Sequence, residues 1–241
     1  MKTKFIYRSI LSFALSLIAT NINTQTLPLD ENLISFNSIE GENLLLESDA
    51  REDYFPLSNY FVTQHNLAYC GVASMVMVLN SLDVEAPIAP QYRNFNFFTQ
   101  DNLFFNPLTD DIIAEQTVAR QGMTLQELGG LIGTFPVDVA VYHGADVTLN
   151  EFRELIVQNL KERDNFVLVN YLRSTIGQER GGHISPIAAY NEQSDRFLIL
   201  DVSRYKYPPV WVSAETLWEA INTIDSASNE TRGFVLVNKR I

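Results

Sequence analysis

The chain of 241 residues is long enough for one large globular domain or two small ones. Hydrophobic residues make up 46% of it, charged residues 19% and aromatics 11%, which excludes wholesale disorder, a collagen-like repeat and a disulfide scaffold. Seventeen lysines and arginines against 29 aspartates and glutamates leave a net charge of −12, unsuited to general binding of nucleic acid or anionic lipid, and the lone cysteine, Cys70, excludes an internal disulfide or a multi-cysteine zinc site.

Residues 1–25 read as a secretory signal: Lys2, Lys4 and Arg8 give a positive front, Ile10 to Ala19 a mostly apolar run, and small polar residues follow. The apolar run is too short for the roughly 20 residues of a spanning helix. Without this segment 14 positive and 29 negative side chains remain, so the charge falls to −15. The expectation is an exported, periplasmic protein that keeps no membrane contact after cleavage; a cytoplasmic one is the alternative if the segment does not act as a signal. Residues 26–241 then form the folded domain. A lone thiol in an oxidising compartment gains nothing by pairing and needs another reason to be there.

Residues 26–56 are polar and mixed. Val72 to Leu82 carries apolar residues at steps of four or less and predicts a buried helix, ended by Pro87 and Pro90. Residues 91–111 are aromatic and loop-like. Thr124 to Ile132 predicts a short helix with a Thr124–Glu127 capping box. Val137 to Tyr142 alternates as a strand does, and Thr148 to Lys161 predicts another helix. Three further strands are expected at 165–172, 183–190 and 196–202, with a glycine-rich loop over 177–182, and a fourth at 233–238. Helices first and a strand meander second predict an α+β domain with an antiparallel sheet.

Nucleophilic cysteine catalysis needs a thiolate, a histidine, a group orienting that histidine, and donors for an oxyanion. Cys70 precedes Gly71 at the expected mouth of a helix, where free N–H groups and the helix dipole lower a thiol pKa. Burial as a small hydrophobe is the ordinary fate of a free cysteine, but this placement favours chemistry. Gln64, six residues earlier, is positioned to offer a side-chain amide to the oxyanion. Of the three histidines, His65 lies too close to Cys70 in sequence and His143 reads as a turn residue. His183 follows Arg180-Gly-Gly at the mouth of a strand and is the expected base. Asp201, expected at the end of the next strand, is placed to orient it. The order Gln, Cys, His, acid is that of papain.

Gln64-His-Asn-Leu-Ala-Tyr-Cys-Gly-Val-Ala-Ser-Met-Val-Met-Val-Leu-Asn80 resembles the catalytic-cysteine block of phytochelatin synthases. Gly182-His-Ile-Ser-Pro-Ile-Ala-Ala-Tyr190 is similar to their histidine block. The run Asp201-Val-Ser-Arg-Tyr-Lys-Tyr-Pro-Pro209, inside Leu198–Val212, is similar to their aspartate block and is the most specific part. The likeness extends from about residue 30 to 238 and suggests the short cyanobacterial form. It implies a papain-like fold, a helical half carrying the nucleophile packed on an antiparallel β-sheet half carrying histidine and aspartate. It also implies Cys70, His183 and Asp201 as nucleophile, acid/base and orienter, with Gln64 at the oxyanion.

The implied reaction is release of glycine from glutathione through a γ-glutamylcysteinyl thioester. Water then gives γ-glutamylcysteine, and a second glutathione gives phytochelatin. The resemblance implies no cofactor for glycine release and no protein metal site, with Cd²⁺ or Zn²⁺ entering as glutathione thiolates. The sequence stops after the catalytic part and lacks the cysteine-rich half of the plant enzymes, so hydrolysis is expected to outweigh transfer. Glutathione is the expected partner; a homodimer stays open.

The γ-glutamyl group, with its α-carboxylate and α-amine, calls for a cation and an anion close together. Arg173, Asp225 and Arg232 are the candidates, with Gly182 leaving room for substrate. Arg204 and Tyr207 are weaker candidates for a second acceptor site. Two other functions stay open: a general papain-type peptidase of the kind that trims bacteriocin leaders, and a non-catalytic thiol- or metal-binding protein.

Overall fold

The computed structural model describes residues 26–240; the expected signal segment lies outside them. A two-residue edge strand, β1 (Ile34–Ser35), leads into α1 (Ile39–Glu47), whose first turn is closed by the Ser38 hydroxyl accepting from Gly41 N–H. After α2 (Tyr54–Asn59) comes α3 (Cys70–Ser81), buried on every side from Cys70 to Asn80. That explains its weak amphipathic stripe, because a helix enclosed all round needs no polar face. The predicted start at Val72 is two residues late: Cys70 itself opens the helix. The aromatic stretch holds three single 3₁₀ turns, at Pro90–Tyr92, Leu103–Phe105 and Pro107–Thr109.

Next come α4 (Glu115–Gln121) and α5 (Leu125–Ile132), the latter with the predicted Thr124–Glu127 capping box. β2 (Val137–His143) is followed by α6 (Leu149–Leu160), capped in the same way by Thr148 and Glu151. β3 (Asn165–Leu172), β4 (Gly182–Asn191), β5 (Arg196–Ile199) and β6 (Val210–Ser213) form a meander. α7 (Ala214–Ile221), a small hairpin of β7 (Ile224–Asp225) and β8 (Glu230–Thr231), and β9 (Gly233–Lys239) complete the chain.

The main sheet has seven strands in the order β1-β6-β5-β4-β3-β9-β2, all antiparallel. The α+β expectation holds, with α3 packed on the antiparallel sheet, but the helices do not all lie on one face of it. Period-two alternation along β3 sends Phe166 and Leu168 to a core shared with α3 and α5, and Val167, Val169 and Tyr171 to a second core shared with α6 and α7. The sheet is thus covered on both faces, and β3 reads as a continuous apolar run for that reason. Nor is the sheet one continuous meander. β9 inserts between β3 and β2, so the last strand lies in the interior while β2 and the short β1 form the edges.

The register brings the chemistry together. β3 pairs with β4 so that Tyr171 faces His183 and Leu172 faces Gly182. The Ser74 hydroxyl, one turn into α3, donates 2.8 Å to the Cys70 carbonyl and 3.2 Å to that of Ile184. This fixes the mouth of the helix against the first residues of β4.

Candidate active site

Cys70 is the first residue of α3, so the helix's leading N–H groups have no carbonyl within the helix to bond. Its sulfur accepts instead from His183 and from the backbone N–H groups of Gly71 and Ile184. Burial alone would push the thiol up, but these three donors, with the charge of His183, leave it below its ordinary value. His183 is buried, which alone would lower it. The Asp201 carboxylate outweighs both that and the opposing charge of Arg173, and the imidazole ends above its ordinary value. A lowered thiol beside a raised imidazole favours passage of the proton from sulfur to ring.

His183 Nε2 lies 2.9 Å from Asp201 Oδ1 and 3.0 Å from Ser185 Oγ, which leaves Nδ1 for the sulfur. Asp201 has no solvent exposure. Burial would raise it, yet His183 and Arg173 together hold it well below the usual carboxylate range. Its Oδ1 also accepts from Arg173 Nη2 at 2.9 Å and from Ser203 N–H at 2.8 Å, and Arg173 Nη1 lies 2.8 Å from Oδ2. Asp201 was expected at a strand end. It sits two residues past the end of β5, in a turn whose Ser203 N–H it binds itself.

The other candidates divide. Gln64 is buried beside that same turn: its Oε1 accepts from Ser203 Oγ at 2.6 Å and its backbone N–H donates to Val202. One Nε2–H is held by the Asn66 carbonyl at 2.6 Å, leaving the second as the donor available to an oxyanion. Arg173 is a correction. It is buried behind Asp201, also donates to Gln178 Oε1 and lies 5.2 Å over the Tyr207 ring, so its charge serves the aspartate and does not reach the cleft. Arg204 stacks 4.6 Å over Phe61, and with Tyr207 it lines a separate cavity of about 350 Å³ away from Cys70. His65 pairs with Asp101 at the surface. His143 is largely covered, held between Gln126 and the Thr231 carbonyl.

Cys70 and His183 open onto a cleft of about 650 Å³, with Gly182, Asp225 and Arg232 on its lining. Arg232 packs against Gly182, where an added Cβ would come 3.1 Å from Nη2, so glycine there admits the guanidinium. The guanidinium donates to the Ile224 carbonyl at 2.7 Å and to Thr223 Oγ1 at 3.3 Å, and stands 3.5 Å from Asp225 Oδ1. Its Nε is buried with no partner among the described residues.

The opposite wall, Arg120 to Thr124 with Glu127, escaped the sequence reading. Met123 sits so close to Gly71 that any Cβ there would strike its sulfur at 2.6 Å. Ser185 and Ser203 escaped it as well, though both carried a signal. Ser185 shares His183's strand face at a spacing of two, and Ser203 stands two residues after an aspartate, the spacing of an Asx turn.

A family model described as phytochelatin synthase matches residues 24–234. The chain belongs to the phytochelatin synthase family. Among the similar proteins are glutathione gamma-glutamylcysteinyltransferase 3 of Lotus japonicus, 34% identical over 209 residues, and glutathione gamma-glutamylcysteinyltransferase 1 of Arabidopsis thaliana, 33% identical over 209. Each match covers 86% of this chain and 42% of the relative. The glutathione gamma-glutamylcysteinyltransferase of Schizosaccharomyces pombe is 30% identical over 212 residues, 87% of this chain and 50% of its own length. The chain therefore spans half or less of the relatives it matches.

Proposed function

We propose that this chain is a glutathione γ-glutamylcysteinyltransferase with a papain-like site, in which Cys70 attacks the carbonyl between cysteine and glycine of glutathione. The carbon–sulfur bond forms as the thiolate adds, and the backbone N–H of Cys70 with the second Nε2–H of Gln64 bonds the oxyanion. His183 gives its Nδ1 proton to the departing glycine nitrogen as the carbon–nitrogen bond breaks, leaving a thioester. Water then attacks the thioester while His183 takes its proton, and γ-glutamylcysteine leaves with the thiolate restored. A second glutathione attacking through its amine gives phytochelatin instead, as the weaker branch. Asp201 keeps the imidazole in one tautomer and orientation throughout. Cd²⁺ or Zn²⁺ enters as part of a glutathione thiolate substrate.

The observation that carries this reading is the chain Cys70–His183–Asp201 opening onto a cleft with an arginine and an aspartate side by side. A γ-glutamyl end needs both charges: Asp225 for the α-amine and the unpartnered Arg232 Nε for the α-carboxylate. Incubation with glutathione and detection of free glycine by mass spectrometry tests it. Glycine is expected from the wild type and none from Cys70→Ala. Glycine released by the variant refutes the mechanism, and none from the wild type refutes the substrate.

A further inference from the structure

Glutathione carries two carboxylates, one on each side of the bond to be cut, and the Asp225–Arg232 pair answers only the one at the γ-glutamyl end. The cleft holds a second guanidinium. Arg120, in the last turn of α4, lines it together with Cys70 and forms no ion pair among the described residues.

The two arginines stand on different walls. Arg232 packs against Gly182 at the start of β4. The Arg120 segment adjoins the mouth of α3, with Met123 against Gly71 and Gly122 facing the Ala68 carbonyl. Cys70 lies between these contacts. The acid on the Arg120 wall, Glu127, turns its Oε2 back to the Thr124 N–H at 2.7 Å and hydroxyl at 2.9 Å and forms no ion pair with Arg120. The cleft lining thus carries two guanidiniums, one on the Gly182 side of Cys70 and one on the Gly71 side, and the substrate carries one carboxylate on each side of the bond to be cut.

We propose that Arg120 binds the glycine carboxylate of the substrate and makes the enzyme selective for a free C-terminal carboxylate on the leaving side. The inference rests on glutathione being the substrate. Arginine suits the task because its planar fork meets a carboxylate with two parallel bonds. Its exposed position lets glycine depart once the bond is cut.

The test compares glutathione with its C-terminal glycine carboxamide, which keeps the scissile bond and removes one charge. The ratio of kcat/KM for the two is measured in wild type and in Arg120→Ala, and binding of both is measured by calorimetry in the Cys70→Ala background. Wild type is expected to favour the free acid about tenfold, the lower end for a charge-assisted bond reached by solvent. In Arg120→Ala that preference should fall to within about twofold of parity, and Arg120→Lys should keep an intermediate part of it, since a lone ammonium retains charge but not the fork. An Arg120→Ala enzyme that keeps the full preference overturns the assignment and leaves the glutathione reading standing. A Cys70→Ala protein that binds neither tripeptide overturns both.

Discussion

Two arginine–aspartate pairs stand near Cys70 and His183, and they are built to opposite ends. Asp201 and Arg173 are side chains at 0% and 4% exposure, 2.8 Å apart, and the carboxylate takes further bonds from His183 and Ser203. Asp225 and Arg232 stand at 16% and 7%, 3.5 Å apart, with one buried guanidinium N–H unmatched. The closed pair lies behind His183 and is absent from the cleft lining, so it is placed to hold the imidazole. The loose pair has unused capacity facing a cleft, so it is arranged for something that is not yet there. Identical residue types are thus buried behind the histidine in one place and set on the cleft wall in the other, and that placement tells them apart.

Breaking the closed pair should cost most. Arg173→Ala leaves the buried Asp201 with only His183 as a charged partner, and loss of one partner of a buried pair destabilises by about 3–5 kcal/mol. Urea unfolding is expected to show a loss of that size together with a collapse of glycine release. A stable Arg173→Ala with only KM raised would mean that Arg173 acts on substrate after all.

Asp201→Asn comes next. Asp201 raises His183, so in the wild type the imidazolium persists to higher pH, and activity falls only as pH rises through that raised pKa. The acid side is set by Cys70, whose lowered pKa brings the thiolate in early. Removing the carboxylate charge should bring the alkaline limb of the kcat/KM profile down in pH and reduce kcat by about two orders of magnitude. An alkaline limb that stays in place would free Asp201 of this role.

The contrast also shows what a sequence can and cannot display. The local devices were legible: the Thr124–Glu127 capping box rests on Thr-x-x-Glu spacing, which the box at Thr148–Glu151 repeats, and the candidate nucleophile on a helix mouth followed by glycine. β3, β4 and β9 followed from unbroken apolar runs. α1 did not, since Ser38 caps a segment whose Leu44-Leu-Leu run packs only at its edge, so no clean stripe forms. β6 and α7 passed unnoticed because three buried residues followed by one short helix make too brief a pattern for either period. Arg173 was misplaced for a deeper reason. Which aspartate an arginine meets depends on the β3–β4 register and on the turn after β5, and neither is written in local spacing. The Arg120 wall was invisible on the same grounds, as it reaches Cys70 only through the packing of Met123 on Gly71.

The loose pair should answer differently from the closed one. Arg232→Ala removes two bonds to the β7–β8 region, so stability should fall by about 1 kcal/mol. The KM for glutathione should rise by about tenfold or more, the worth of a charge-assisted carboxylate contact, with kcat little changed. An unchanged KM would sink the assignment of Arg232 to the γ-glutamyl carboxylate.

The smallest effect is expected at Ser185, which shares His183 Nε2 with Asp201 and lies 3.4 Å from the Val202 N–H. Nε2 carries one proton, and the carboxylate is the stronger acceptor for it, so the hydroxyl steadies the ring without setting its charge. Ser185→Ala should therefore lower kcat by about fivefold, the equivalent of one neutral hydrogen bond of about 1 kcal/mol, and leave both limbs of the pH profile in place. The two substitutions on one nitrogen are then separated by their pH profiles and not only by their rates. If Ser185→Ala moves the alkaline limb as far as Asp201→Asn does, the charge behind the imidazolium is delivered through the serine, and the Asp201–Arg173 pair is a structural brace instead of the orienting acid.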